Sequence, residues 1–539
     1  MTTEPTATII LSGAYCGQEL RAEFGRLPPS FLPVGDRRLY ERQVEGLRTL
    51  GPLWITAPDD FEIGRTDQDR LREAGVAVVP LAPSLSLAQS LGRALAEIGV
   101  EGPVRILHGD TLVSGLDFEA HDAVAVQTSV DHYDWGYCAP GEKGLRFVSA
   151  PGDGASREVA CGYFHFADAS RLRASLEEAV DFIDALNLYG AARPLRPLRC
   201  AEWHDFGHLT TFYRSKRNLL TARAFNSVRS DGLEVVKSST DTAKIRAEAA
   251  WYRALPTALA LNVPRFLGDH DENHLAGYRL EYLYLPTLAD LFVFGRLPAS
   301  VWTRILAGCG ALLGRLADHA PVAASPEGSP AFATAFHDEM MFAKSRLRLE
   351  RFLTGRGWSL DTAFALDGAR KRRIGDVLEA ALDALTPATA DHIRLIHGDF
   401  FFGNLFYDFR ANRVMMVDPR GHAGGGQTCI FGDVRYDVAK LAHSAIGCYD
   451  HIIAGRSRLV REGGTCWRLE IDRGPHADTL AEAMIAMAAE RVGLGRRELL
   501  MRATLLFLSM LPLHADSAER QDHLLANAMR LAASAEAAP

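Results

Sequence analysis

Two short stretches in the C-terminal half of the chain bring together residue types that can move a phosphoryl group. Ile396–Asn404 reads IHGDFFFGN, and thirteen residues after Asn404 the stretch Val417–Gly421 reads VDPRG. The first supplies a carboxylate at Asp399 and a carboxamide at Asn404, and the second a carboxylate at Asp418. Phosphoryl transfer from ATP needs that set: one carboxylate accepts or orients the proton of the attacking hydroxyl, while an amide oxygen and a second carboxylate hold Mg2+ against the phosphates. The flanks suit the task. Leu405-Phe406-Tyr407 is apolar, Asp408–Arg413 reads as a turn, and Val414–Val417 reads as a buried strand ending at Asp418. Polar ligands at the ends of apolar strands converge on one cleft. The blander alternative is a β-hairpin with polar ends, and the order and spacing of three ligand types argue against it.

Such a site needs a smaller lobe that grips ATP. Phe225–Ser230 and Leu233–Lys237 read as two strands joined by a Ser-Asp-Gly turn. Lys237 ends a buried apolar run, where a lysine is costly unless an anion meets it. Eleven residues on, Glu248 lies in Thr242–Leu255, a segment of helical character. A Lys237–Glu248 ion pair would aim the lysine at the α and β phosphates. Singly, each residue reads better as a surface charge; together, upstream of His397-Gly398-Asp399, the pair reads as functional. Asn226-Ser227 carries no glycine-rich phosphate loop. Tyr278–Tyr284 reads as a strand, and Leu285-Pro286-Thr287 leads to a helix from about Leu288, as at a hinge whose backbone meets adenine.

His397-Gly398-Asp399 with Asn404 and Asp418 resembles the aminoglycoside phosphotransferase and choline kinase group, which shares the protein-kinase-like fold. The resemblance implies that Asp399 is the catalytic base and that Asn404 and Asp418 bind magnesium. Phe431-Gly432-Asp433 and Tyr436–Leu441 resemble the segment that follows the metal aspartate there. Asp433 and Asp437 are then candidates for binding substrate, or else Asp433 caps a helix and Asp437 holds a loop; the second reading is preferred for Asp437.

The first two hundred residues carry another signal. Ala7–Leu11 is a buried strand running into Ser12-Gly13 and then Gly17, candidates for contact with a nucleotide. Apolar strands recur at Leu53–Thr56, Val76–Val79, Val104–Leu107 and Ala123–Gln127, with helical stretches between them. That alternation predicts an α/β domain with a mostly parallel sheet covered on both faces. Val104–Val113 ends its strand at Gly109-Asp110, and a carboxylate at the C-terminal end of a parallel strand sits where such sheets bind ligands. Asp205, in Trp203–Gly207, is a second acidic candidate. As strand-end and loop residues, both aspartates also have a purely structural reading.

This half resembles the sugar-nucleotide and phosphocholine nucleotidyltransferases, which use a Rossmann-like sheet. The resemblance implies that Asp110 and Asp205 hold magnesium and that Gly162, in Cys161–Phe166, lies on the strand facing the sugar or alcohol phosphate. Pro33-Val34-Gly35 with Arg37-Arg38-Leu39 resembles the end of that family's signature loop. Glu19 stands where the loop carries an arginine and Pro29 where it carries a lysine, cations that normally hold the triphosphate. Arg21, Arg26, Arg37 and Arg38 are the cations nearest in sequence.

The remaining features bound the answer. At 539 residues the chain exceeds what one core usually serves. A hydrophobic content of 47% fits packed cores rather than disorder. A net charge of −8 and the lack of a dense Lys/Arg tract speak against nucleic-acid binding. No stretch reads as a signal peptide or a membrane span. The eight scattered cysteines lack CxxC or zinc spacing, which suggests a reducing compartment, the cytoplasm. Phe336–Leu353 reads as a long amphipathic helix whose Arg346, Arg348 and Arg351 suit a solvated face better than an anion site. Ala369–Leu385 reads as another helix, residues 463–474 as a strand or hairpin, and His476–Ala535 as helical.

The expected organisation is a nucleotidyltransferase-like domain over residues 1–215 and a bilobal α+β kinase-like domain over 216–539, its small lobe near 219–285 and its large lobe at 286–539. The expected chemistry is phosphorylation of a hydroxyl on a sugar or amino-alcohol by Mg-ATP. Transfer of a nucleotide from a second NTP, CTP or UTP among them, to that phosphate would follow. The product would be an activated precursor of surface polysaccharide. Two rivals stand beside this: a kinase with a degenerate N-terminal module that binds nucleotide or sugar phosphate, and a non-catalytic scaffold.

Overall fold

The computed structural model describes residues 6–129, 131, 133, 135–150, 158–219, 227–272, 274–423 and 428–537. The chain divides into two compact units, residues 1–219 with 294–296 and residues 220–293 with 297–539. The division falls after Leu219, at the end of the helix Leu209–Asn218.

In the first unit the strand Ala7–Leu11 is flanked in parallel by Val104–His108 and Leu53–Pro58, and Val76–Leu81 extends the parallel run. Glu158–Phe166 enters antiparallel beside Val104–His108 and carries the sheet on to Tyr137–Pro140, Leu145–Val148 and Ala123–Thr128. Every residue of Ala7–Leu11 is buried, as expected for a central strand covered on both faces. Ile9, Leu91, Leu95, Ile106 and Leu172 fill one face of the sheet, and Ile10, Phe31, Tyr40, Ile55 and Tyr163 fill the other. The unit is the α/β domain with parallel core strands that the alternation predicts. A small antiparallel pair, Thr111–Ser114 with Glu202–Asp205, sits beyond the strand Val104–His108.

The second unit opens with a four-stranded antiparallel sheet in the order Ser227–Ser230, Glu234–Ser239, Ala276–Glu281, Phe266–Asp269. The first turn closes because the Asp231 carboxylate accepts from the N–H groups of Leu233 (2.8 Å) and Glu234 (3.0 Å), an Asx turn. Phe225 and Asn226 lie outside the described residues. The helix Thr242–Ala254 starts where the Asp241 side chain accepts from the Lys244 N–H at 3.1 Å. Thr287 and Asp290 exchange backbone and side-chain bonds at 3.3 and 3.0 Å, which starts the helix Leu288–Phe294 directly after Leu285-Pro286-Thr287.

The larger lobe is mostly helical. Arg496–Met510 is buried from Leu499 to Met510 and packs with Ala518–Ala537. Three segments differ from the sequence reading. The long helix is two, Pro330–His337 and Lys344–Arg356, joined by a π-helical turn at Asp338–Ala343; such turns break the regular rotation of side chains about the axis and recur at functional sites. The helix placed at Ala369–Leu385 is confined to Ile374–Asp383, preceded by the short strand Arg372–Arg373 paired with Ala363–Leu366. The extra hairpin is longer than residues 463–474, pairing Ser457–Gly463 with Cys466–Ile471. Among the described residues, no helix is long and apolar enough to cross a membrane.

Candidate functional site

The two motif stretches meet through a hairpin, Leu405–Asp408 paired antiparallel with Arg413–Met416, with Leu405 opposite Met416. This register brings Asn404 and Asp418 to the same end, and the Val417 N–H donates to Asn404 O at 3.0 Å. Asp418 adopts a left-handed backbone, φ 58°. That conformation is unusual for a side chain larger than glycine and is frequent where a loop must aim a functional group.

Asp399 is set by its own loop. Gly398 has φ 78°, and a Cβ there would come within 2.7 Å of Arg420 Cβ, so glycine serves both the turn and the close approach. The loop is held from beneath by Asp437, whose buried carboxylate accepts from His397 N–H (2.6 Å) and Gly398 N–H (2.8 Å). Burial raises the Asp437 carboxyl to about 7, against the pull of those two N–H groups. Asp437 thus holds a loop. His397 is buried, its Nε2 2.8 Å from Val417 O, and burial lowers its pKa to about 4, so the neutral ring ties the two motif stretches together.

Asn404 donates its Nδ2 to Asp399 O (3.0 Å) and Asp399 Oδ2 (3.2 Å). Its amide oxygen carries no hydrogen bond among the described residues, which suits a hard cation. Lys440 Nζ lies 2.8 Å from Asp399 Oδ1. Burial opposes the Asp399 charge, but Lys440 and Arg420 prevail and hold its carboxyl well below the usual carboxylate range.

Lys237 and Glu248 form the ion pair that their spacing suggests. Lys237 Nζ is 2.7 Å from Glu248 Oε2 and 3.0 Å from Asp418 Oδ1, while the Tyr278 hydroxyl donates to Glu248 Oε2 at 2.8 Å. Both side chains are nearly inaccessible, at 7% and 2% exposed, so each would be costly without the other. Burial works against the lysine's charge, yet Asp418 and Glu248 raise its pKa; burial raises that of Glu248. Lys237, Glu248, Asp399, Asn404 and Asp418 line one cleft of about 960 Å³.

Sequence reading gave no role to four other side chains that line this cleft, Lys344, Arg420, Tyr436 and Lys440. Arg420 stands inside the VDPRG stretch, and Tyr436 and Lys440 are four residues apart on the helix Val434–Ala445, hence neighbours on one face. That spacing was the available signal.

Asp433 lies elsewhere. It caps the helix Val434–Ala445 by accepting from Arg435 N–H at 2.9 Å, pairs with the Arg435 guanidinium at 2.7 Å, and is not among the cleft-lining residues. Burial opposes its charge, while Arg435 and Arg502 hold its carboxyl below the ordinary value. A carboxylate with a lowered pKa stabilises the fold above its unfolded-state pKa and loses that contribution as pH falls through the folded value. The contribution of Asp433 is therefore complete at neutral pH. Asp433→Asn is expected to cost about 3–5 kcal/mol by leaving Arg435 buried beside a neutral group, read as a lower midpoint in urea at pH 7. Unchanged stability with a raised KM for the acceptor would instead make Asp433 a substrate ligand.

In the first unit, Asp110 follows the strand Val104–His108, and Asp205 ends the strand Glu202–Asp205 opposite Thr111. Phe206 N–H donates to Asp110 O at 2.8 Å. A Cβ on Gly207 would lie 2.5 Å from Asp110 Oδ2 and 3.4 Å from Asp205 Oδ1, so both carboxylates flank that glycine. Burial, then the charge of Asp205, raises the Asp110 carboxyl to about 6. Two carboxylates repelling in a poorly hydrated place fit a divalent cation. Among the described residues no three His, Cys, Asp or Glu side chains converge as a metal cage; Mg2+ is commonly held by one or two carboxylates together with substrate phosphates. Asp205 also accepts from Thr211 and lies 3.2 Å from His208 Nδ1.

The other candidates divide. Gly162 has φ 80° at a bulge in Glu158–Phe166, and a Cβ there would meet Thr111 Oγ1 at 2.7 Å and His108 Cβ at 3.0 Å, so it packs beside the Asp110 turn. Gly109 donates to Leu11 O at 2.8 Å, and its carbonyl accepts from Ser30 Oγ at 3.0 Å. The Ser12 hydroxyl is buried and accepts from Ser30 N–H at 3.1 Å, a bond internal to the loop. Gly13 is buried and Gly17 is exposed at the start of Gln18–Phe24. Glu19 is exposed on that helix and Pro29 opens a 3-10 turn. Three of the four nearby arginines are engaged: Arg26 with Asp60 (2.8 Å), Arg37 with Glu45 (2.5 Å), and buried Arg38 with Phe31 O (2.5 Å).

The model of the phosphotransferase enzyme family, APH, matches residues 231–478. No curated protein matches the chain. Among solved structures, the chain is similar to an aminoglycoside phosphotransferase APH(4)-Ia variant in a ternary complex with ADP and hygromycin B. That match has 14% identity and a TM-score of 0.39, over 59% of this chain and 94% of that one. It is also similar to a glucose-1-phosphate thymidylyltransferase from Bacillus anthracis, at 16% identity and a TM-score of 0.33, over 39% of this chain and 94% of that one. The inositol-1-phosphate CTP transferase of T. maritima matches at 14% identity and a TM-score of 0.32, over the same shares of 39% and 94%. The chain is an enzyme, and its residues 231–478 match the phosphotransferase family.

Proposed function

We propose that the C-terminal unit transfers the γ-phosphoryl group of ATP to a hydroxyl of a small molecule, and that the N-terminal unit joins the resulting phosphate to a nucleoside monophosphate drawn from a second NTP. The observation that carries the first step is the convergence of Lys237–Glu248, Asp399, Asn404 and Asp418 on one cleft. Lys237, oriented by Glu248, binds the α and β phosphates. Asp399, kept ionised by Lys440, accepts the hydrogen bond of the acceptor hydroxyl and takes its proton as the new P–O bond forms. Asn404 and Asp418 would hold Mg2+, which when bound neutralises phosphate charge. In the N-terminal unit Asp110 and Asp205 would hold a second Mg2+ against an incoming triphosphate. The acceptor is a sugar or amino-alcohol, and the product an activated precursor for surface polysaccharide made in the cytoplasm.

The kinase with a degenerate N-terminal partner is the second reading. It is favoured by Glu19, by Pro29 and by the three arginines bonded elsewhere, which leave Arg21 as the one candidate of the four with no partner among the described residues. Pyrophosphate release from CTP, UTP, GTP and dTTP, with the phosphorylated acceptor supplied, separates the two. Release with any of them supports the bifunctional enzyme, and release with none supports the kinase alone.

A further inference from the structure

The cleft has a strongly basic side. Tyr436 is buried on the helix Val434–Ala445, and its hydroxyl is met by Lys344 Nζ at 3.1 Å and Arg420 Nη2 at 3.0 Å. Both cations also lie over its ring, at 5.4 and 5.0 Å from the centroid. Arg348, one turn beyond Lys344, lines the same cleft and donates to Ser509 O at 3.3 Å. Among the described residues none of Lys344, Arg348 and Arg420 has a carboxylate within ion-pair distance. Glu339, exposed on the preceding π-helical turn, also lines the cleft. Of the nearby carboxylates, Asp437 holds the loop at His397 and Gly398 and Asp399 is paired with Lys440, and the charges of both also reach Arg420.

Lys344 and Arg420 share one phenol and Arg348 stands beside them, and although Asp399 and Asp437 offset part of the Arg420 charge, the three cations repel one another in a place that water hydrates poorly, which favours the arrival of an anion. Their electrostatics agree. Burial and then Arg420 lower the Lys344 pKa, and the same cations pull the Tyr436 hydroxyl below its ordinary value although burial opposes this. The π-helical turn sets the phase of the helix that carries Lys344 and Arg348, which is why a run that reads as a solvated face turns two of its cations into the cleft while Arg346 pairs outside with Glu379 at 2.6 Å.

Resting on the kinase reading above, we infer that the acceptor carries an anionic group, a carboxylate or a phosphate, seated on Lys344, Arg348 and Arg420, with its reacting hydroxyl at Asp399. Lys440 sits one helical turn from Tyr436 and lies 2.8 Å from Asp399 Oδ1, so the basic side and the carboxylate are neighbours in one cleft. Of the acceptors proposed above, a sugar that itself carries a carboxylate or a phosphate fits this site, and an amino-alcohol does not. In the reaction the acceptor oxygen bonds to the γ-phosphorus, the bond from that phosphorus to the β–γ bridging oxygen breaks, ADP leaves, and the hydroxyl proton passes to Asp399 and then to water.

The test measures ADP release from Mg-ATP by the full-length protein, and product mass, with four acceptor classes: D-glycerate and D-gluconate, glycerol 3-phosphate and glucose 6-phosphate, glycerol and glucose, and choline and ethanolamine. The first two classes should be turned over in preference to the last two, and which of them wins separates carboxylate from phosphate. Lys344→Met and Arg348→Met should each raise KM for the best anionic acceptor about tenfold or more, leave KM for ATP within about twofold, and be rescued by Lys344→Arg and Arg348→Lys respectively. Preferential turnover of neutral or cationic acceptors overturns the inference while the kinase reading stands. A rise in KM for ATP alone also overturns it, by assigning the cations to the nucleotide. Should no acceptor react, calorimetry with inorganic phosphate in the presence of Mg-AMP-PNP decides. Saturable binding lost in Lys344→Met supports the anion site, and no binding overturns it. Absence of Mg-ATP binding in the wild type would remove the kinase reading and the inference with it.

Discussion

Asp399→Asn is expected to lower kcat for phosphoryl transfer by about 10²–10⁴-fold and to leave Mg-ATP affinity within a few-fold of wild type. Asparagine has the same shape and keeps an oxygen for the bond from Asn404 Nδ2, now 3.2 Å from Asp399 Oδ2. It cannot take a proton, and it leaves Lys440 without the carboxylate that now lies 2.8 Å away. Asp418→Ala should do the reverse and weaken Mg-ATP binding itself, because it removes a proposed metal ligand and an anion paired with Lys237 at 3.0 Å. Single-turnover rates with saturating Mg-ATP, beside equilibrium binding of AMP-PNP, distinguish the two. Near wild-type turnover in Asp399→Asn would refute its role. Since its carboxyl is held well below the usual range, Asp399 stays ionised above pH 5, and any acid limb there belongs to another group.

Asp110→Asn and Asp205→Asn should each abolish nucleotidyl transfer and leave kinase turnover unchanged within about twofold. The reason is local: magnesium takes close oxygen ligands in a near-octahedral set, and each aspartate serves one triphosphate. Because the Asp110 carboxyl is raised to about 6, metal affinity and nucleotidyl transfer should fall as the pH drops through that value, as protonation removes the ligand. The reciprocal variant, Asp399→Asn supplied with chemically phosphorylated acceptor, should still form the nucleotide conjugate. Loss of kinase turnover in a folded Asp110→Asn protein would refute two independent sites.

What the sequence shows and what it hides follow from the range of the interactions. Asp399, Asn404 and Asp418 are legible because a hairpin of known length joins them, so spacing stands in for distance. Lys237 and Glu248 are legible because a strand and the helix after it meet at short separation. That Asp437 holds a loop is legible from its place in the first turn of the helix capped by Asp433, but which loop it holds is not, since its partners His397 and Gly398 are about forty residues away. The basic side of the cleft is different. Lys344 and Tyr436 are 92 residues apart and meet only once the helices pack, and the π-helical turn that aims Lys344 and Arg348 leaves no mark in the apolar periodicity. The same limit applies to the N-terminal loop. The sequence shows four arginines, but only the folded chain shows Arg26 on Asp60, Arg37 on Glu45 and Arg38 on Phe31 O.

The most direct measurement is calorimetric titration of the full-length protein with ATP, with and without Mg2+, beside Asp418→Ala. The expected result is saturable binding that depends on Mg2+ in the wild type and is weakened at least tenfold in the variant, with the variant's circular dichroism unchanged. Mg2+-independent binding, or equal affinity in the two proteins, would contradict the assignment of the Lys237–Asp399–Asn404–Asp418 cleft as the phosphotransfer site.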